Sequence, residues 1–140
     1  MKLLKSLLII TILFSSAAFS REVVLQKMTY TNSNGIKYTQ KLSVGIEDIK
    51  ASPMHDPEKS QVPLSIKDAV ELAKKSYLKH FPNRNFYLVD VVLRRFPDYF
   101  HRDKWVYVLN VVNDPIDHYD TAVYFAVLLN GKVIMSNSNQ

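Results

Sequence analysis

The sequence predicts an α+β domain in which one amphipathic helix packs on one face of an antiparallel β-sheet. One helical pattern, at 66–80, stands among segments of strand-like alternation in the order β-β-α-β-β-β-β. Strands and helices therefore do not alternate as they do in a doubly wound parallel sheet. Asn-Gly pairs at Asn34–Gly35 and Asn130–Gly131 favour tight hairpins between antiparallel neighbours.

Residues 1–20 have the layout of a cleaved signal peptide. Two lysines form a positive head, an apolar run extends over 7–19, and Ala-Phe-Ser places small side chains before the cleavage point. That run is shorter than the roughly 20 residues of a membrane-spanning helix. We expect cleavage after Ser20 and a mature chain, 21–140, that is secreted or periplasmic without a stable membrane anchor. The pattern does not distinguish the periplasm from the extracellular medium.

Composition limits the classes of function. The chain has 18 Lys and Arg, 13 Asp and Glu, no Cys and 47% apolar residues, which fits a single globular domain. Without cysteine there is no disulfide framework, thiol nucleophile or Cys-based zinc site. Loss of two lysines with the signal peptide makes the mature chain less basic than the full chain, which carries +5. We expect no nucleic-acid partner and no cofactor.

Residues 21–45 predict an N-terminal hairpin around Asn34–Gly35, because Asn-Gly tolerates positive φ. Its second strand alternates apolar and polar side chains, so one face is buried and the other is wet. The next segment, 46–63, has two prolines, mixed charge and no hydrophobic period. We expect a linker loop there, long enough to be mobile or functional.

The clearest element is a helix at 66–80. Ser65 can cap its free amides, and Asp68 stands in the capping-box position near the positive end of the helix dipole. Pro82 ends the helix. A shared apolar stripe, at spacings of four and three, comprises Ile66, Val70, Ala73 and Tyr77.

Strands are predicted at 86–96, 105–112, 121–129 and 132–135. The strand at 105–112 is apolar on both faces, which indicates a central strand with one face under the helix. Helix and sheet together form the core of the domain, 64–135. The polar tail, 136–140, is expected to fray.

Three segments resemble PepSY-type domains. Ser65–Ala73 is similar to the opening helix of that family, Lys104–Val108 to the strand whose aromatic pair packs on it, and Asn130–Val133 to the closing hairpin. The resemblance covers 64–135, and a cystatin-like helix-on-sheet fold is its near neighbour. It implies a secreted or envelope domain that binds or restrains a peptidase and has no catalytic residue.

The loop at 97–104 is the predicted partner-binding surface. Tyr99 and Phe100 are adjacent, so both cannot point inward from one strand, and Arg102 supplies a charged anchor beside them. The alternative is that Phe100 folds back onto the sheet. Because the helix covers one face of the sheet, the opposite face, the edge strands and the loops are expected to be open to partners.

A second candidate is the acidic loop 114–120, where Asp114, Asp117 and Asp120 offer hard oxygen ligands for Ca²⁺. The central Gly and terminal Glu of an EF-hand are absent, and a polar turn explains the same residues. We therefore expect a non-catalytic exported binding or regulatory module with a protein or peptide partner, such as a peptidase or another envelope protein. A small exported hydrolase or a Ca²⁺-binding protein is the alternative. Partner identity, oligomeric state and cation binding stay open.

We predict that the mature protein begins at Arg21, because the small residue at Ser20 fits the cleavage pocket. N-terminal sequencing of the exported protein checks this prediction. Recovery of an intact Met1 in the membrane fraction would contradict it.

Overall fold

The computed structural model describes residues 21–32, 34–116 and 122–139 and confirms the α+β class. The predicted signal peptide, 1–20, lies outside the described residues. Within the described ranges, no helix is both long enough and apolar enough to cross a lipid bilayer. In chain order the elements are β1 (Glu22–Thr31), β2 (Lys37–Gly45), α1 (Ile46–Ala51), α2 (Ile66–His80), β3 (Tyr87–Arg95), a 3-10 turn (Tyr99–His101), β4 (Trp105–Val112), β5 (Val123–Leu128), β6 (Val133–Met135) and β7 (Asn137–Asn139).

Among the described residues, the strands form two antiparallel sheets rather than one. The N-terminal sheet has the order β1-β2-β7, and the central sheet has the order β3-β4-β5-β6. The prediction that the tail frays is wrong for 137–139, which pair with β2. Backbone groups supply these hydrogen bonds, so the polar side chains of the tail do not prevent strand formation.

The central sheet lies between α2 and the N-terminal sheet. One face of β4 and β5 contributes Leu109, Phe125 and Val127 to a core with α2, which confirms the predicted helix packing. The other face, with side chains such as Val106 and Leu128, packs on the N-terminal sheet. The expectation that this second face is open to partners is therefore wrong. The sequence pattern of β4 and β5 shows that both faces of these strands are apolar, but it does not show which segment of the chain covers each face.

Helix α2 begins and ends where the sequence predicts. The Ser65 hydroxyl accepts the Asp68 backbone N–H at 3.1 Å and donates to the Asp68 carboxylate at 2.7 Å. Small Ala69 and Ala73 side chains let the helix axis approach the sheet, and Tyr77 fills the space beyond them. Ile66, expected on the buried stripe, is exposed in the first turn.

The segment predicted as a linker loop, 46–63, is more ordered in structure than expected. Its first residues form α1, and the Ile49 side chain is fully buried in the core between the two sheets. A helix of 6 residues is too short for its hydrophobic period to be recognised in a sequence. The end of α1 leads directly into residues that contact β4.

Trp105, at the start of β4, holds this segment against the central sheet. Its indole Nε1–H donates to the His55 carbonyl at 3.0 Å, and the two rings meet edge to face at 5.8 Å between centroids. The Arg95 guanidinium lies 5.0 Å from the Trp105 ring centroid, within range of a cation–π contact. The Trp105 side chain is partly buried, so it works at the rim of the core rather than at its centre.

We predict that Ser65→Ala lowers the free energy of unfolding by about 1 kcal/mol, because the Asp68 N–H loses its cap. Urea denaturation followed by circular dichroism measures the loss. The matched control, Ser60→Ala in an exposed turn, should change stability by less than about 0.5 kcal/mol. Equal losses in both variants would show that the cap contributes nothing specific.

Trp105→Phe should lower the free energy of unfolding by about 1–2 kcal/mol, because the buried His55 carbonyl loses its donor. The His55 amide, which donates to the Asp103 carbonyl at 3.0 Å, should also exchange faster with deuterium. Tyr87→Phe, at an exposed aromatic of β3, is the control and should change neither quantity. Unchanged exchange at His55 in Trp105→Phe would contradict the role assigned to the indole.

Candidate functional site

The aromatic loop, 97–104, joins β3 to β4 and is closed at its base. The Phe96 N–H donates to the Lys104 carbonyl at 3.1 Å, and the Lys104 N–H donates to the His101 carbonyl at 3.0 Å. The Phe96 side chain is buried in the core between the sheets. The base of the loop is therefore fixed to the core, while its tip is presented outward.

The tip carries the three residues that the sequence predicts as a binding site. Tyr99 and Phe100 are 72% and 85% exposed, so neither ring folds back onto the sheet. Their rings meet edge to face with centroids 5.8 Å apart, and the Arg102 guanidinium lies 4.5 Å from the Tyr99 ring centroid. The three side chains thus form a continuous surface, the aromatic patch. That it binds a partner stays a prediction.

A side-chain hydrogen bond between His101 and Asp98 braces the tip. The His101 Nδ1 lies 2.5 Å from a carboxylate oxygen of Asp98, one residue before the 3-10 turn. Both side chains are largely shielded, at 12% and 25% exposure, so water competes less for this contact than at an open surface. The brace links the two ends of the turn that presents Tyr99 and Phe100.

Residues 52–56, which we call the strap, support the loop from outside. Met54 forms an antiparallel bridge with Lys104, and the His55 N–H donates to the Asp103 carbonyl at 3.0 Å. The Lys104 ammonium donates to the Ser52 carbonyl just beyond α1. Because Met54 is itself exposed, the strap adds a third large apolar side chain to this end of the molecule.

A charged cleft of about 410 Å³ opens between the strap and the aromatic loop. Both cations and anions line it. The Asp56 carboxylate accepts a hydrogen bond from Lys59, which with the Glu58 backbone N–H lowers the pKa of Asp56. Arg102 belongs to both the cleft and the aromatic patch, so the two surfaces are continuous. The lining residues are His55, Asp56, Glu58, Arg95, Arg102 and Asp103.

Sequence reasoning missed the strap side of this site. His55 and Trp105 are 50 positions apart in the chain, and no motif indicates that they meet. The available signal was the length of the segment 46–63, which suggested a functional role without naming its contacts.

The predicted cation site is described only in part. Asp114 is exposed, and one carboxylate oxygen accepts the Ile116 N–H at 2.9 Å, which is an Asx turn. Asp117 and Asp120 lie outside the described residues. Among the residues that the structure describes, no cluster of three or more potential metal-ligating side chains occurs.

Comparison of the chain with protein-family models, curated proteins and solved structures gives no match. The resemblance of 64–135 to PepSY-type and cystatin-like domains stays a prediction from the sequence.

Proposed function

We propose that this protein is a non-catalytic exported binding module that recognises a protein or peptide through the aromatic patch. The observation that carries the proposal is the exposure of Tyr99 and Phe100, adjacent on a loop whose base is fixed in the core. Large aromatic side chains and Arg are enriched at protein interfaces and dominate their binding energy. Exposure of two adjacent rings costs solubility, and a partner that covers them explains why they are presented.

The free energy gained by burying the two rings, compared with the cost of association, indicates how large the contact must be. Full burial of a large apolar side chain gives about 1.5–3 kcal/mol, so the two rings supply roughly 3–6 kcal/mol. Association costs an estimated 4–15 kcal/mol in lost freedom. The rings alone therefore do not sustain a stable complex. The partner must also contact neighbouring surface, and exposed Met54 and the charged cleft are next to the patch in the fold.

The charges of the cleft favour a polypeptide of mixed charge. Two arginines, Arg95 and Arg102, face three carboxylates, those of Asp56, Glu58 and Asp103. A uniformly anionic partner such as a nucleic acid would meet repulsion from the carboxylates as well as attraction from the arginines. A peptide segment with both signs of charge can pair with both the arginines and the carboxylates.

The rigid mounting of the loop also supports recognition. The brace, the base hydrogen bonds and the strap hold the tip before a partner arrives, which lowers the entropy lost on binding. A protruding aromatic tip suits insertion into a groove of the partner. With predicted export and the PepSY-like resemblance, a peptidase or another envelope protein is the partner class we propose.

Tyr99→Ser/Phe100→Ser should abolish partner capture and leave the fold intact. Both rings are exposed, so the melting temperature should shift by only a few degrees, corresponding to about 0.5 kcal/mol. The measurement is crosslinking and mass spectrometry of proteins captured by the exported chain in its host. The specific partners are those captured by the native protein and absent with the double variant.

The matched control is Ile66→Ser/Leu78→Ser, which removes two exposed apolar side chains from α2. It should capture the same partners as the native protein. Retained capture by the loop variant would refute the aromatic patch as the binding surface, and unfolding of that variant would show that its rings contribute to the core.

A further inference from the structure

In the described part of the chain, strand β3 has one unpaired edge and several exposed apolar side chains. It is the outermost strand of the central sheet, and among the described residues it pairs only with β4. Its exposed apolar side chains include Tyr87, Leu88, Val89 and Val92, the last at 51%. A long apolar edge with unpaired N–H and C=O groups is a template for a further strand.

Charges on this strand are self-complementary. Asp90 and Arg94 lie on the same face of β3, with Val92 midway between them. If two copies pair through β3 about a two-fold axis, the strands are antiparallel and opposite residues share a face. In the register centred on Val92, each Asp90 stands opposite Arg94 of the second copy, and Val92 stands opposite itself.

Neighbouring registers lose this match. In a two-fold pair whose opposite residues share a face of the sheet, the axis must pass through a residue position and not between two residues. Near the middle of β3, the possible positions of the axis are Val91, Val92 and Leu93. An axis on Val91 places Asp90 opposite Val92, and an axis on Leu93 places it opposite Phe96. Only the register on Val92 pairs both charges, and on the helix side it also places Val91 opposite Leu93.

Asp90 and Arg94 differ in the contacts that they already make within one copy. Asp90 is exposed and forms no ion pair with any described residue. Arg94 donates from Nη2 to the Leu25 carbonyl of β1 at 2.6 Å, which fixes its guanidinium between the edges of the two sheets. Because a guanidinium carries five donors, this bond leaves others for a carboxylate.

We propose that a second copy of this chain occupies the β3 edge, so that two central sheets join into one continuous antiparallel sheet. The dimer is held by strand pairing, by the Val92 self-contact and by two Asp90–Arg94 pairs. It does not depend on the aromatic patch, which belongs to the loop beyond the end of β3.

The absence of cysteine from the chain provides a direct test. In Val92→Cys the only thiols of the dimer face each other across the axis, and the Cα separation of opposite antiparallel residues, about 4.5–5.5 Å, suits a disulfide. Mild oxidation of the mature chain, 21–140, at low micromolar concentration should yield mostly covalent dimer on a non-reducing gel. Little or no dimer from Val92→Cys would overturn the proposal.

Two control thiols test the location and the register. Val24→Cys places the thiol on the edge strand of the N-terminal sheet at 43% exposure, and Val89→Cys places it on β3 itself at 48%. In the proposed register Val89 lies about 20 Å from its own counterpart, since strands rise about 3.4 Å per residue. Neither control should form a covalent dimer on the non-reducing gel, although both should still pair through β3. Crosslinking of either as strong as that of Val92→Cys would overturn the proposed pairing.

A charge exchange tests the pairs without a crosslink. Asp90→Arg sets like charges opposite each other and should raise the dimer dissociation constant at least tenfold in sedimentation equilibrium. Mixing it with Arg94→Asp should restore dimers as heterodimers, because both pairs become complementary again.

Arg94→Asp removes the hydrogen bond to the Leu25 carbonyl, so this variant can fail to fold. If it does, Asp90→Arg alone decides the proposal. A native chain that stays monomeric at 100 μM, or an Asp90→Arg variant that dimerises as well as the native chain, would refute it. Tyr99→Ser/Phe100→Ser should dimerise normally, and loss of its dimer would place the interface at the loop instead.

Discussion

The structure depends on the burial of β4 and β5 on both faces. Every described side chain of β5 is buried, and alternate residues point to opposite layers. A strand of this kind cannot tolerate the loss of either cover, because a row of Val, Phe or Leu side chains would then face water. Helix α2 on one side and the N-terminal sheet on the other are therefore equally necessary, although only the helix is recognisable as a cover in the sequence.

Two polar contacts set how the N-terminal sheet sits on the central sheet. The Gln40 amide donates to the Ala122 carbonyl at 2.5 Å, and Arg94 donates to the Leu25 carbonyl. Apolar contacts tolerate sliding, whereas a shielded donor without a partner costs about 1–3 kcal/mol or more. The two sheets must therefore settle where both donors find their carbonyls. That placement leaves β1 and β3 as neighbouring edges and leaves β3 open to further pairing.

Short sequence motifs predicted the features that depend only on interactions between residues close together in the chain. The bounds of α2 follow from the Ser65 cap and the stop at Pro82. Adjacency of Tyr99 and Phe100 requires that at least one ring faces outward, and the structure shows that both do. Features that depend on distant contacts were not predictable. The bridge of Met54 to Lys104 joins segments with no shared pattern, and β7 consists of polar residues that pair through their backbones.

The position of β7 links the order of the chain to the order of folding. The N-terminal sheet contains both the first and the last described strands, since Lys41 of β2 pairs with Asn137. A polypeptide that is delivered from its N-terminus, by a ribosome or through a membrane channel, holds β2 with an open edge until the C-terminal residues arrive. Completion of that sheet is therefore a late, non-local step. Until then the open edge of the hairpin can pair with other chains and aggregate, and a chaperone that shields strand edges would act most usefully there.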